Sequence, residues 1–332
     1  MASNKVTVSA IAEKAGVSPA TVSRVLNNRT DLVKGDTVRR VLSVMQELGY
    51  SIPENKLSVP REQPVIIMNI PSVNNIFYSQ VIQGAIASAN AHGCHLIINQ
   101  APMDHGYIQS FFNLIKRVNA AGVILTGPVS TEILEQIGHM LPLIQCCEYN
   151  PDVNFPFVSI NDYKAAQTTT EYLIAQGYHK IAFINGPANY KYSRDRELGF
   201  LAAIENANIT IPSGWMPHLP EVSYDMAYSI ACQLLSAEVK PNAFFTVSDT
   251  YAAAVIRAAK QYHYHIPKDI VVIGFDNTEI SSICTPSITT VSQPRFQIGY
   301  TACEILLEKI NNPHIESRSI LLETELIVRE ST

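Results

Sequence analysis

Three absences narrow what this chain can be. Cysteine is sparse, with six in 332 residues at positions 94, 146, 147, 232, 284 and 303, and none forms a Cys-x-x-Cys pair. Neither a disulfide scaffold nor a zinc ribbon is therefore encoded, and the thiols, mostly within apolar runs, read as buried groups of a reducing compartment. No uncharged apolar run is long enough to span a bilayer, and the N-terminus shows no apolar stretch ahead of a cleavage site. The expectation is a cytoplasmic protein with no membrane partner. Gly-x-x-x-x-Gly-Lys-Ser/Thr, Gly-x-Ser-x-Gly and His-Glu-x-x-His are all missing. That removes phosphate-loop, hydrolase-elbow and zinc-protease chemistry, so neither an enzyme nor a cofactor is expected. Tyr262-His-Tyr-His265 offers two imidazoles with no third ligand near them in sequence, and no metal is expected either.

Charge is also scarce, at 16% of residues, and it is unevenly placed. Residues 1–61 hold 9 Lys and Arg against 5 Asp and Glu, whereas the remainder holds 15 against 24. A basic front on an acidic body points to a nucleic-acid-binding arm. The front reads as helices. Val6–Gly16 makes a short one, with Thr7 as its cap and Gly16 suited to the left-handed residue that ends it. Ser18 caps a second, with Pro19 at its first position, where a missing N–H costs nothing. Two residues between helices is the length of a helix-turn-helix turn. Once Ile11, Ala12, Val17, Val22, Val25 and Leu26 are buried, Pro19, Ala20, Ser23, Arg24 and Asn27 point outward, a surface suited to major-groove base edges. Asp36–Tyr50 makes a third helix, and Ser51–Gln63, with two prolines and four charges, reads as a linker.

From Val65 short apolar runs alternate with amphipathic helices. Strands are expected at Val65–Ile70, Leu96–Asn99, Gly122–Leu125, Leu143–Cys146, Phe157–Ile160, Ile181–Asn185, Ala243–Val247, Ile270–Phe275 and Ile320–Val328. Helices are expected at Ser79–Ala91, Gln109–Val118, Thr131–Met140, Lys164–Ala175, Arg194–Asn206, Asp225–Ser236 and Thr250–His263. Such alternation means doubly wound parallel sheets with helices on both faces, and two sets of it mean two lobes with a ligand cleft between them. The expected domains are a helix-turn-helix headpiece over 1–50, a hinge over 51–64 and a sensing and dimerisation domain over 65–332. Within the last, lobe one covers about 65–161 with a later crossing near 292–318, and lobe two covers about 162–291 with the C-terminal end.

The run Val8-Ser-Ala-Ile-Ala-Glu-Lys-Ala-Gly-Val-Ser-Pro-Ala-Thr-Val-Ser-Arg-Val-Leu-Asn27, with Glu47-Leu-Gly-Tyr50, resembles the headpiece of the LacI family of transcriptional regulators. The likeness continues through Asn75–Gly84, Val158–Asp162, Gly177–Gly186, Arg196–Phe200, Ser248-Asp249, Ile273–Asn277 and Thr289–Pro294. It implies a periplasmic-binding-protein-like body, a double-stranded DNA operator as partner, a small-molecule effector and a homodimer. The helix around Val81–Asn90 is a candidate dimer face. The family's base-reading positions fall on Pro19 and Ala20 and its arginine on Arg24; Thr7, Ser18, Thr21, Ser23, Asn27 and Arg29 complete the DNA-facing set. The family's Ala-Arg-x-Leu hinge pattern is absent, and Leu57 is the nearest candidate for a minor-groove wedge.

Within the family, Glu148-Tyr-Asn-Pro, Gln293–Gly299 and Glu325–Thr332 are most similar to the branch that controls nucleoside uptake and breakdown. That implies a nucleoside effector such as cytidine and the cyclic-AMP receptor protein as a partner on DNA; a sugar or purine effector is the alternative. Carried-over positions place Phe77, Tyr78, Glu148, Asp162, Arg196, Asp249, Asp276 and Gln293 at the effector. Asp276 would accept from ribose hydroxyls, Arg196 would donate in a fixed fork, and Phe77 and Tyr78 would stack on the base. A transport solute-binding protein would share the two lobes, but it would carry an export signal where the headpiece stands.

Overall fold

The computed structural model describes residues 7–26, 33–48, 50, 63–104, 106–316 and 318–332. The chain divides into two compact units, Met1–Gln63 and Pro64–Thr332. The predicted Asn27, Arg29 and Leu57, and the hinge around Leu57, lie outside the described residues.

The first unit is built from α1 (Val8–Ala15), α2 (Pro19–Leu26) and α3 (Gly35–Glu47). Thr7 Oγ1 accepts from Ala10 N at 3.3 Å, which satisfies one of the free amides at the start of α1. Gly16 ends that helix at φ +63°, and Val17 N then donates back to Ala12 O at 3.0 Å. A side chain at Gly16 would be strained at that angle, so the tight turn into α2 depends on it. Ser18 Oγ accepts from Thr21 N at 3.1 Å and starts α2. Ile11, Ala12, Ala15, Val22, Val25, Val41, Val44 and Met45 close the core between the three helices.

The second unit has two lobes, each an α/β sandwich. The sheet of lobe one runs β10-β5-β4-β3-β1-β2, built from β1 (Val65–Asn69), β2 (His95–Asn99), β3 (Ala120–Leu125), β4 (Leu143–Cys146), β5 (Phe157–Ile160) and β10 (Ile320–Leu322). All its pairings are parallel. Its helices are α4 (Phe77–Ala91), α5 (Ile108–Arg117), α6 (Thr131–Met140) and α12 (Arg295–Asn311). The sheet of lobe two runs β11-β9-β8-β7-β6, from β6 (Ile181–Ile184), β7 (Ala243–Thr246), β8 (Val271–Asp276), β9 (Thr289–Ser292) and β11 (Glu325–Ile327). β11 pairs antiparallel to β9 and is the exception to the expected parallel pattern. Helices α7 (Asp162–Ala175), α8 (Lys191–Asn206), α9 (Tyr224–Ser236), α10 (Asp249–Gln261) and α11 (Glu279–Ile283) flank it. The central strands β7 and β8 are buried on both faces, which is why they read as unbroken apolar runs.

The chain passes between lobes three times, from β5 to α7, from β9 to α12 and from β10 to β11. One sequence expectation changes here. The single strand expected over Ile320–Val328 is two short strands in different sheets, broken at Glu323-Thr324 where the chain crosses, so lobe one extends to Leu322. The small-residue side of α4, the helix read as a candidate dimer face, packs within the chain on α12. Gly84 lies against the backbone of Phe296 and Gly299 against the carbonyl of Val81, so the two helices touch backbone to backbone. The side of α4 left outward carries half-exposed Ile86. The cysteines are also less uniform than expected: Cys94, Cys146 and Cys303 are buried, while Cys147, Cys232 and Cys284 are half-buried.

A Cβ at Gly299 would fall inside the van der Waals radius of the Val81 carbonyl oxygen, which is backbone and cannot swing aside. Gly299→Ala should therefore destabilise the second unit by about 1–3 kcal/mol, the usual cost of overpacking a core. Urea denaturation followed by circular dichroism measures it, and an unchanged midpoint would show that α4 and α12 slide apart freely.

Candidate nucleic-acid interface and ligand cleft

On α2, burial of Val22 and Val25 against the core turns Pro19, Ala20, Ser23 and Arg24 outward, together with Ser18 and Thr7; Thr21 is half-buried. Thr21 Oγ1 lies 2.9 Å from Ser18 Oγ, so these two hydroxyls stabilise the start of the helix as well as facing solvent. The exposed surface is small, polar and singly cationic, as a helix entering a major groove requires.

In the second unit a cavity of about 300 Å³ opens between the lobes, at the carboxyl ends of both sheets. Lobe one contributes Phe77 and Tyr78 from the start of α4, and Cys147 and Glu148 from just beyond β4. Lobe two contributes Asp162 from the first residue of α7, Tyr192 and Arg196 from α8, and Asp276 from the end of β8. Gln293 lies on the crossing between β9 and α12. Seven of the eight residues expected at the effector thus line one cleft.

Asp249 does not. Its Oδ2 accepts from Thr278 N at 2.6 Å and Thr278 Oγ1 at 2.9 Å, and its Oδ1 accepts from Thr290 Oγ1 at 2.6 Å. It is a fully buried pin between α10, β9 and the loop after β8, and burial lifts its pKa to about 6 against the pull of those donors. The cleft also contains residues that sequence reasoning passed over. Tyr190 and Tyr192 stand 5.2 Å apart at the start of α8, and Ser72, Asn74, Asn75, Glu221 and Ser248 add polar groups. The Tyr-x-Tyr spacing ahead of a helix was the available signal for the first two.

The charged groups are organised into pairs. Arg196 donates through Nε and Nη2 to Asp162 Oδ1, both at 2.9 Å, and through Nη1 to Val247 O at 2.8 Å, with its plane 3.5 Å over the Phe275 ring. Part of its fork is therefore already used within the protein. Glu148 accepts from Lys191 N at 2.8 Å and Tyr192 N at 2.9 Å, so a carboxylate of lobe one sits on the amino end of α8 in lobe two. Burial pushes the Glu148 carboxyl up to about 7, opposed by those two amides. Asp276 accepts from Gln293 Nε2 at 2.7 Å and is held at φ +103°, a conformation that costs an L-residue energy and is found where a site demands it. Burial raises its carboxyl to about 8, opposed first by Arg196. Tyr78 donates its hydroxyl to Thr126 O at 3.3 Å and packs edge-on against Phe77. Among the described residues no three His, Cys, Asp or Glu gather as a metal site, and no helix is long and apolar enough to cross a membrane. His265 pairs with Asp269 at 3.1 Å.

Comparison with known proteins adds to this arrangement. Residues 7–53 match the bacterial regulatory proteins of the lacI family, and residues 170–332 match the periplasmic binding protein-like domain. The transcriptional repressor CytR of Escherichia coli is 32% identical over 330 residues, covering 98% of this chain and 96% of its own. The chain belongs to the LacI family. The transcriptional regulator RegA of Clostridium saccharobutylicum is likewise 32% identical, over 97% of this chain and 98% of its own. The crystal structure of the lac repressor dimer bound to operator superposes with a TM-score of 0.75 at 23% identity, covering 99% of each chain, and shows the shared fold. This LacI-family chain is a DNA-binding transcriptional regulator, and these relatives are regulators rather than enzymes.

The raised carboxyls set a direction for stability. In the folded regulator Asp276 holds its proton up to about 8, whereas an unfolded aspartate loses it near its ordinary 3.8. Between those values the folded state binds more protons, so stability falls as pH rises, by up to about 1.4 kcal/mol per pH unit for one fully linked group. Asp249 and Glu148 act in the same sense but are spent by about 6 and about 7. Thermal melts should therefore show Asp276→Asn removing most of the loss between pH 7 and 8 but only part of that between pH 5 and 6, where Asp249 and Glu148 also contribute. Parallel melting curves for wild type and variant would contradict it.

Proposed function

We propose that this regulator is a repressor whose homodimer binds a double-stranded DNA operator and whose interlobe cleft takes a nucleoside, cytidine foremost, that modulates the binding. The observation that carries the reading is the composition of the cleft. Aromatic rings from Phe77, Tyr78, Tyr190 and Tyr192 stand beside Asp276, Gln293 and the Arg196 fork in a space of about 300 Å³. A flat base needs the first set and a ribose needs the second. The resemblance to the nucleoside-regulating branch of the family selects this ligand over a plain sugar or a free purine. Phe77, Tyr78, Glu148, Asp162, Arg196, Asp276 and Gln293 are the effector residues of this reading. Thr7, Ser18, Pro19, Ala20, Thr21, Ser23 and Arg24 are its DNA-facing residues. A homodimer follows from the headpiece, since one recognition helix reads a half-site and two reach adjacent major grooves. The nucleoside branch also suggests the cyclic-AMP receptor protein beside it on DNA.

Arg24→Ala should cost about 1–3 kcal/mol on operator DNA and less on random DNA, because a bidentate arginine–guanine contact carries discrimination. Equal losses on both, by fluorescence anisotropy, would place Arg24 on phosphate alone.

The effector is tested by titrating cytidine into operator complexes with and without the cyclic-AMP receptor protein. Wild type should respond, and Asp276→Ala should keep DNA binding while losing the response. A ribose hydroxyl donates to the ionised Asp276 carboxylate, so cytidine should bind more tightly as pH rises through about 8. A wild type that ignores cytidine but answers ribose or a purine base would replace the nucleoside with that ligand. An unaltered response in Asp276→Ala would remove the cleft from the effector's path.

A further inference from the structure

The cleft contains one ready-made cradle for an anion. The first amides of α8, a helix of 16 residues, point their N–H groups toward the space between the lobes. Such an end attracts phosphate or carboxylate, because the free amides and the aligned peptide dipoles both favour negative charge. Here the place is taken. Glu148, 3% exposed, lays its two oxygens on Lys191 N and Tyr192 N, one on each.

The rest of the cleft offers an anion nothing in exchange. Glu148, Asp162, Glu221 and Asp276 line it, and among the described lining residues Arg196 is the one cation. Its charge is already balanced by Asp162 at 2.9 Å. Lys191, behind the cleft, is held by Asp195 at 2.6 Å and Asp162 at 3.7 Å and lies over the Tyr149 ring. Arg295, on the crossing side, donates to Asn277 O at 2.9 Å. A phosphate entering here would find its cradle filled, no free cation and up to four carboxylates around it.

We propose that Glu148 is the cleft's built-in anion, a specificity residue that fills the amide cradle of α8 so that the site takes an unphosphorylated, hydroxyl-bearing ligand and rejects the phosphorylated form. The inference rests on the cleft being the effector site. A regulator built this way senses a nutrient as it arrives and is blind to the same molecule once phosphorylated.

The test compares cytidine, cytidine 5′-monophosphate and inorganic phosphate by calorimetry and thermal melting on the full-length protein. The variants are Glu148→Ser, which empties the cradle, and Glu148→Gln, which removes the charge but keeps the bulk. Wild type should bind the monophosphate at least about 100-fold more weakly than cytidine, and inorganic phosphate should leave its melting point unchanged. Glu148→Ser should narrow that ratio about tenfold or more and be stabilised by inorganic phosphate. Glu148→Gln should narrow the ratio with no response to phosphate. A wild type that binds the two nucleoside forms within about tenfold overturns the proposal. So does a folded Glu148→Ser protein that gains nothing from phosphate. If Glu148→Ser does not fold, an unchanged ratio in Glu148→Gln overturns it. If neither nucleoside form binds wild type while Glu148→Ser acquires the phosphate response, the nucleoside reading fails and the anion-filling role of Glu148 stands.

Discussion

Three chain crossings between the lobes are the constraint on which the rest of the second unit depends. Strands β5, β9 and β10 each end a lobe, and the following residues begin the other. Three adjacent tethers prevent the lobes from parting but leave them free to tilt about the crossings, so the space at the strand ends is both permanent and adjustable. The crossings also reach into the cleft. Gln293 lies on one of them and holds Asp276, and Arg295, two residues further on, holds the carbonyl of Asn277 next to it. A ligand that changes the hydrogen bonding or the charge of Asp276 therefore acts on the hinge directly, with no relay through the core.

The cleft's electrostatics follow from how each buried carboxylate meets its desolvation cost. Burying an ionised carboxylate without partners costs several kcal/mol, and partners must offset it. Asp162 has a guanidinium, Glu148 has two backbone amides, and Asp249 has two threonine hydroxyls and an amide. Asp276 has the side-chain amide of Gln293 and the more distant field of Arg196. It has the fewest direct donors of the four, and burial raises its carboxyl to about 8, above the about 7 of Glu148 and the about 6 of Asp249. A site left short of donors in this way is completed by a ligand that brings them, and ribose hydroxyls are donors of that kind.

Legibility tracked locality. The headpiece was readable because its signals act within a few residues: Thr7 and Ser18 as caps, Gly16 at positive φ, Pro19 at a first turn. Most strands of both sheets are readable because burial on two faces leaves continuous apolar runs, whereas β9, a Thr-Thr-Val-Ser run, carries no such signal. Helix α12 was not assigned, although Ile298, Ala302, Ile305 and Leu306 give it a buried stripe, because it belongs to lobe one while the strand before it belongs to lobe two. Asp249 was misplaced for a related reason. A carboxylate after a buried strand reads the same whether it faces a ligand or two threonines, and only the long-range pairing of β8 with β9, which sets Thr290 beside it, decides between them. Tyr190 and Tyr192 escaped because they enter a helix rather than repeat along one.

The same geometry bounds what an effector can do. The chain enters lobe one at Val65 after the headpiece and linker, whereas most of the polar groups of the cleft belong to lobe two. A ligand bound to lobe two alone would leave lobe one, and whatever it does to the headpiece, as it was. Coupling requires contact with both, and it cannot exceed the difference in the ligand's affinity for the two lobe arrangements, typically about 1–3 kcal/mol. In the proposed reading Phe77 and Tyr78 supply the aromatic part of the lobe-one contact, beside the polar Ser72, Asn74, Asn75 and Glu148 of the same lobe. Asp276 and Gln293 supply a polar contact that hydroxyls satisfy. A hydroxylated ligand without an aromatic face would leave the rings of lobe one unfilled. A free base would fill the rings and leave Asp276 uncompensated. The nucleoside proposed above carries both a flat heterocycle and hydroxyls, so it offers a partner to each of these groups.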